Sequence, residues 1–256
     1  MMNWKNELNR ICPELGPKVR AFFTEREGGV SSGPWGGVEG IMGLNVGART
    51  GDNAGCVRMN RSIVEQLCPS PIHWMHQVHG TRVVEAREVD NEELEADAQI
   101  AFDPETVCVV QVADCLPVLL ADKQARAVAA VHAGWKGLAA GVIEEAVKAI
   151  REKLPACELK AWLGPRIGFE DFEVGDEVLE TFKKAYPAVT DGVKEKENGK
   201  FCLSLAAYAR AALAGVGVTE VEDCGLSTAA DARRFYSYRR DGERTGRHAA
   251  VIWIEK

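Results

Sequence analysis

The residues best suited to metal or nucleophile chemistry in this 256-residue chain are its five histidines and eight cysteines. His73, His76 and His79 occur in Ile72-His73-Trp74-Met75-His76-Gln77-Val78-His79-Gly80, and His132 occurs in Val131-His132-Ala133-Gly134-Trp135. Between them lies Ala113-Asp114-Cys115-Leu116-Pro117. The strongest of these positions follow apolar β-rich runs and precede small or turn-forming residues, so their side chains can converge on a pocket without obstruction. His79, Cys115 and His132 form a set that suits zinc, and a catalytic zinc keeps three protein ligands with one position left for water or substrate. Such a centre brings the pKa of its water to about 7. The intervals of 36 and 17 positions match no short ligand motif. Spacing therefore leaves open a buried thiol with two hydrogen-bonded core histidines. It also leaves open a Cys115–His132 thiolate–imidazole pair acting on an amide or ester.

The elements that must position these residues are short. Val19–Thr24, Ile72–His76, Arg82–Ala86, Val107–Val112, Val118–Ala121, Ala127–His132, Ala161–Leu163, Phe235–Tyr238 and Ala249–Glu255 read as strands. Asn3–Ile11, Asn53–Leu67, Asp176–Ala185 and Leu203–Ala214 read as helices, and Leu138–Leu154 is the clearest helix, with Leu138, Val142, Ala146, Val147, Ile150 and Leu154 on one face. Pro155 ends it. Residues 26–51 carry nine glycines, too many for regular packing, and a loop of that length is expected to frame a site. Strands and helices intersperse without regular βαβ units. The expected fold is α+β, one layered domain over residues 1–256 with mixed β-sheets flanked by helices.

Composition bounds the function. Apolar residues make up 46% and charged residues 27%, as in folded globular proteins. The net charge of −7 argues against a nucleic-acid backbone binder. No stretch reaches the roughly 18 uninterrupted apolar residues of a membrane span, and the first residues carry no secretory apolar core. A cytoplasmic protein is expected, its cysteines irregularly spaced thiols without a Cys-x-x-Cys pair. The expected partner is a small molecule, with neither nucleic acid nor membrane, and the oligomeric state is open.

The motifs add a resemblance. Gln77-Val78-His79-Gly80, Ala113-Asp114-Cys115-Leu116-Pro117-Val118 and Val131-His132-Ala133-Gly134-Trp135-Lys136-Gly137 resemble the YfiH family, also called laccase-domain, polyphenol oxidase and peptidoglycan editing factor proteins. Leu163-Gly164-Pro165-Arg166-Ile167-Gly168, Phe172-Glu173-Val174-Gly175, Phe235 through Asp241 and Thr245-Gly246-Arg247 extend it, as do Asn45-Val46-Gly47 and Gly51-Asp52-Asn53. The resemblance spans roughly residues 20–255. One departure is Asp223-Cys224-Gly225-Leu226-Ser227-Thr228, where many members carry a Cys-Thr pair.

The resemblance implies zinc on His79, Cys115 and His132. It implies purine nucleoside phosphorylase activity, with adenosine deaminase and methylthioadenosine phosphorylase activities in the same site, and a role in keeping peptidoglycan precursors correct. Cys115 and His132 are then catalytic as well as metal-binding. Asp114, beside a ligand, is a candidate proton shuttle or a turn residue. Phosphorolysis needs phosphate held by arginine or backbone N–H groups. Arg49, Arg166, Arg239 and Arg247 are candidates, with Asn45 and Gln77 as further substrate contacts. Gln77 is equally suited to bond backbone beside His79. Trp135 and Phe235 suit either base stacking or the core. A Cys–His hydrolase or amidase on a peptidoglycan precursor is the alternative. A copper polyphenol oxidase is disfavoured because five histidines without a His-x-His motif are too few for a multicopper set. A closed structural zinc site is disfavoured because no fourth ligand matches.

Overall fold

Alternating apolar side chains in the middle of the chain serve two cores at once. The computed structural model describes residues 8–256. Its strands in chain order are β1 (Arg10–Ile11), β2 (Val19–Thr24), β3 (Glu27–Ser31), β4 (Val83–Glu85), β5 (Ala98–Ala101), β6 (Cys108–Val112) and β7 (Leu116–Asp122). There follow β8 (Val128–Ala133), β9 (Leu159–Leu163), β10 (Glu173–Val174), β11 (Val193–Glu195), β12 (Phe201–Leu203), β13 (Glu220–Asp223) and β14 (His248–Ile254). The helices are α1 (Ala54–Glu65), α2 (Trp135–Ala139), α3 (Val142–Lys153), α4 (Asp176–Ala185), α5 (Leu205–Gly215) and α6 (Tyr238–Asp241).

Two sheets pack face to face. One is antiparallel, ordered β1-β2-β14-β6, and the other is mixed, ordered β13-β9-β7-β8-β5-β4. A small sheet, β10-β12-β11, stands beside them. On β7, Leu116, Val118 and Leu120 join Ala129 and Val131 of β8 under Val142, Ala146, Val147 and Ile150 of α3. Leu119 and Ala121 point the other way, onto Phe23, Val110, Ala250 and Ile252 of the four-stranded sheet. This is the period-two alternation of a strand buried on both faces. The far side of the four-stranded sheet presents Phe22, Val109 and Val251 to Ile63 and Val64 of α1. The architecture is therefore helix, sheet, sheet, helices, an α+β fold with mixed pairing as expected. Among the described residues no helix is long and apolar enough to cross a membrane.

Several expected elements differ. Residues 3–7 of the helix expected at Asn3–Ile11 lie outside the described residues, while Arg10 and Ile11 pair with Thr24 and Phe23 as a strand. Ile72–His76 forms only one bridge, His76 to Glu95. Its polar groups are met by side chains instead: Gln99 donates to the His73 carbonyl at 2.6 Å. Phe235–Tyr238 is not a strand, because Ser237 caps α6 by accepting from Arg240 N–H. The helix expected at Leu138–Leu154 is two helices, α2 and α3, broken where Gly141 adopts φ 94°. The glycine-rich segment 26–51 is not irregular throughout, since it contains β3 and two short 3-10 turns. It folds back tightly: a Cβ on Gly43 would stand 2.0 Å from the Trp35 carbonyl oxygen.

Candidate metal centre

Strand pairing brings two of the three ligand candidates together. β7 and β8 run antiparallel with Leu116 opposite Ala133 and Pro117 opposite His132. Cys115, immediately before β7, therefore meets the end of β8 where His132 sits. His79 arrives on a loop, in the left-handed region at φ 61°, a conformation that costs a non-glycine residue roughly 1–3 kcal/mol.

One buried carboxylate holds this conformation. Asp97 Oδ1 accepts from His79 N–H at 2.9 Å, and Oδ2 accepts from Gly80 N–H at 2.7 Å and Val78 N–H at 3.2 Å. Asp97 Oδ1 also lies 2.8 Å from His132 Nδ1. A carboxylate can only accept there, so Nδ1 carries the proton and Nε2 is left for a ligand. The Asp97 backbone carbonyl accepts from His132 N–H at 2.8 Å as well. Burial raises the Asp97 pKa, but His132 and the backbone donors outweigh it and keep the group below its ordinary value. Asp97 escaped the sequence reading. Its surroundings, Glu95-Ala96-Asp97-Ala98, carry no motif, and its partners are 17 to 35 positions away.

The donor set fits a tetrahedral metal. The ligand atoms of His79, Cys115 and His132 all lie within 4.8 Å of one another, and Cys115 Sγ is 3.6 Å from His79 Nε2. Zinc–sulfur and zinc–nitrogen bonds of about 2.3 and 2.0 Å at a tetrahedral angle separate sulfur from nitrogen by about 3.5 Å. The centre also leaves no room beside it. A Cβ on Gly134 would sit 2.6 Å from His79 Cδ2 and 3.1 Å from Cys115 Sγ. The three side chains perturb one another: burial pushes the Cys115 thiol up, but His132 and His79 outweigh it and hold it at about 6. Burial pulls His132 down, yet the Cys115 thiolate and Asp97 bring it to about 9.

The centre lies in a cavity of about 570 Å³ that Trp135, Phe172 and Tyr238 also line. That volume falls in the range of small-molecule sites, about 300–1,000 Å³. Asp114 lines it too, at φ 82°, but its carboxylate is taken. Oδ1 accepts from Thr228 Oγ1 at 2.5 Å, and Oδ2 from Ser237 Oγ at 3.0 Å and Arg239 N–H at 2.6 Å. The geometry makes Asp114 a fastener of the C-terminal segments and leaves it poorly placed to shuttle protons. In the segment that departs from the family pattern, Thr228 supplies this bond, while Ser227 Oγ donates to Asp171 and accepts from Gly168 N–H.

The remaining sequence candidates divide. Arg49 lines the cavity but pairs with Glu93 at 2.8 Å. Arg166 is not among the cavity-lining residues, and both ends of its guanidinium bond Asp223, at 2.8 and 2.9 Å. Arg239 and Arg247 line the cavity and have no ion-pair partner among the described residues. Gln77 lines the cavity, yet its amide is engaged with the Gln111 backbone, donating to O and accepting from N–H at 2.8 Å each. Asn45 is wholly buried beneath the wall, where its Oδ1 accepts from Gly47 and Arg247 N–H. His76 lines the cavity, whereas His73 turns to the Val89 carbonyl. Trp135 lines the cavity and Phe235 belongs to the core between the sheets.

Comparison with known proteins agrees with the fold. A family model described as multi-copper polyphenol oxidoreductase laccase matches residues 20–255. A purine nucleoside phosphorylase of Pseudomonas aeruginosa is 41% identical over 239 residues, covering 93% of this chain and 94% of that protein. The purine nucleoside phosphorylase YfiH of Escherichia coli is 40% identical over 238 residues, covering 92% and 94%. A crystal structure of a Neisseria meningitidis protein superposes with a TM-score of 0.90 at 39% identity, over 97% of this chain and all of that one. The chain belongs to the YfiH laccase-domain family.

Proposed function

We propose that this protein is a zinc-dependent purine nucleoside phosphorylase, with His79, Cys115 and His132 as the metal ligands. The observation that carries the reading is the convergence of those three donors in the cavity wall. Among the described residues no fourth His, Cys, Asp or Glu joins them, the pattern of a catalytic zinc. The relatives named purine nucleoside phosphorylase supply the substrate class.

In this reading an oxygen of phosphate bonds C1′ of the ribose as the C1′–N9 bond breaks. Its electron pair passes to N9, and the free base takes up a proton beside ribose 1-phosphate. Zinc, when bound, supplies a Lewis acid. Asp97 fixes the His132 tautomer and the His79 backbone. Phe172, Trp135 and Tyr238 offer the base aromatic walls. The resemblance extends the proposal to adenosine deamination, methylthioadenosine phosphorolysis and a role in peptidoglycan precursor editing. The proposal includes a cytoplasmic location, where its eight unpaired cysteines persist as thiols.

A second reading has its own support. A thiol held at about 6 beside an imidazole is also the arrangement of a cysteine hydrolase. Occupancy of Cys115 by a metal decides between them, since a coordinated thiolate is not a free nucleophile. A multicopper oxidase is disfavoured, because the described residues contain one metal-compatible group and that chemistry needs more than one copper site. The test is metal analysis with a product screen. One zinc per chain and phosphate-dependent release of free base and ribose 1-phosphate from adenosine or inosine are expected. Full activity in metal-stripped Cys115→Ala protein sinks the site assignment.

A further inference from the structure

We infer that Arg247, with Arg239 in the wall of the same cavity, forms an oxyanion subsite that holds inorganic phosphate. The inference rests on the phosphorylase reading and assigns the half of the reaction that the His/Cys/His group leaves unexplained. Arg247 Nη1 donates to the carbonyls of Thr245 and Gly246, at 3.1 and 3.0 Å. Its Nε and Nη2 meet no acceptor among the described residues. Arg239 is exposed and likewise lacks a carboxylate partner among the described residues, its Nη1 donating to the carbonyls of Asp171 and Glu173. A part-buried guanidinium without a carboxylate is a poorly compensated charge, and its planar fork matches a phosphate edge. Arg49 and Arg166 lack this freedom because Glu93 and Asp223 already occupy theirs.

The site is built rather than incidental. Arg247 N–H is held by Asn45 Oδ1 at 2.8 Å, and the Arg247 carbonyl accepts from Val46 N–H at 3.2 Å. A Cβ on Gly47 would stand 2.7 Å from Arg247 Cγ. The glycine-rich segment therefore gives way at one residue so that the Arg247 side chain can lie against it. Arg247 also packs over the Tyr238 ring, at 6.0 Å from its centroid.

The test uses purified, zinc-loaded full-length protein and Arg247→Gln, Arg247→Lys and Arg239→Gln variants. Calorimetry with inorganic phosphate should show binding to the wild type and a loss of at least about tenfold in Arg247→Gln. Arg247→Lys should recover part of it, because charge returns without the fork. Arg239→Gln should show a smaller loss. In the nucleoside assay the KM for phosphate should rise at least about tenfold in Arg247→Gln, with the KM for nucleoside and the zinc content unchanged. Thermal melting and zinc content establish that each variant is folded. Unchanged phosphate binding in folded Arg247→Gln, or no phosphate binding by the wild type, overturns the subsite. Arg247-dependent phosphate binding without nucleoside phosphorolysis keeps the subsite and removes the phosphorylase reading. Tighter, Arg247-dependent binding of a nucleoside monophosphate than of inorganic phosphate assigns the subsite to a phosphorylated substrate and overturns the inorganic-phosphate assignment.

Discussion

The two sides of the cavity are built in opposite ways. On the ligand side the buried carboxylate is saturated: Asp97 accepts from three backbone N–H groups and one imidazole. On the arginine side donors remain uncommitted, since Arg239 and Arg247 each bond only carbonyls and only through Nη1. A saturated group holds its neighbours in one geometry, whereas an uncommitted charged group gains by meeting a ligand. Asp114 belongs with Asp97 in this division, although it fastens backbone and hydroxyl groups and no metal ligand.

The comparison breaks first at Asp97. Asp97→Asn puts an amide N–H where N–H donors now converge, so zinc affinity should fall about 10–100-fold, measured by chelator competition. Asp114→Asn should leave that affinity unchanged. Equal losses in the two variants would erase the distinction between them. Asp114→Asn instead leaves buried donors unpaired and should lower unfolding free energy by about 1–3 kcal/mol, read from urea melts of the zinc-free protein. A fully stable Asp114→Asn protein would deny it the fastening role.

An effect of pH sharpens the outer edge of the comparison. His248 is wholly buried beside Arg247, and its Nε2 accepts from Tyr236 N–H at 2.8 Å. Burial, the largest cause, pushes its pKa down to about 3, against about 6.5 in an unfolded chain. Between those values the unfolded chain binds the extra proton, so stability is present above about pH 6.5 and is lost as the pH falls. The slope contributed is at most about 1.4 kcal/mol per pH unit. His248→Gln keeps an acceptor and should flatten the acid limb of stability by that amount. An unchanged limb would show that His248 does not titrate across the transition.

Much of the fold was legible because it follows local period. The alternation along β7 and β8 and the apolar face of α3 are sequence patterns, and the structure realises them as two cores. The break at Gly141 and the unpaired stretch at Ile72–His76 were not legible, since a single backbone angle and a distant glutamine decide them. The His79, Cys115 and His132 positions were readable as candidates from the motifs around them, although His79 sits on a loop and not at a strand end. Their shared support on Asp97 was not, because nothing near Asp97 marks it. The arginines show the same limit. Arg166 and Arg247 look equivalent as sequence, and only the long-range pair with Asp223 separates them.

The order β1-β2-β14-β6 has a consequence for how the molecule assembles. β14 is the last strand formed along the chain, yet it lies inside its sheet, bonded to β2 on one side and β6 on the other. Until residues 248–254 emerge, β2 and β6 present bare edges open to mispairing. The pairs that join β14 to β2 span more than two hundred positions, and those that join it to β6 span well over one hundred, so closure is slow and comes late. Arg247 enters with that strand. A nascent chain can therefore bring out its thiol and both imidazoles well before β14, while its guanidinium arm arrives only with the closing strand.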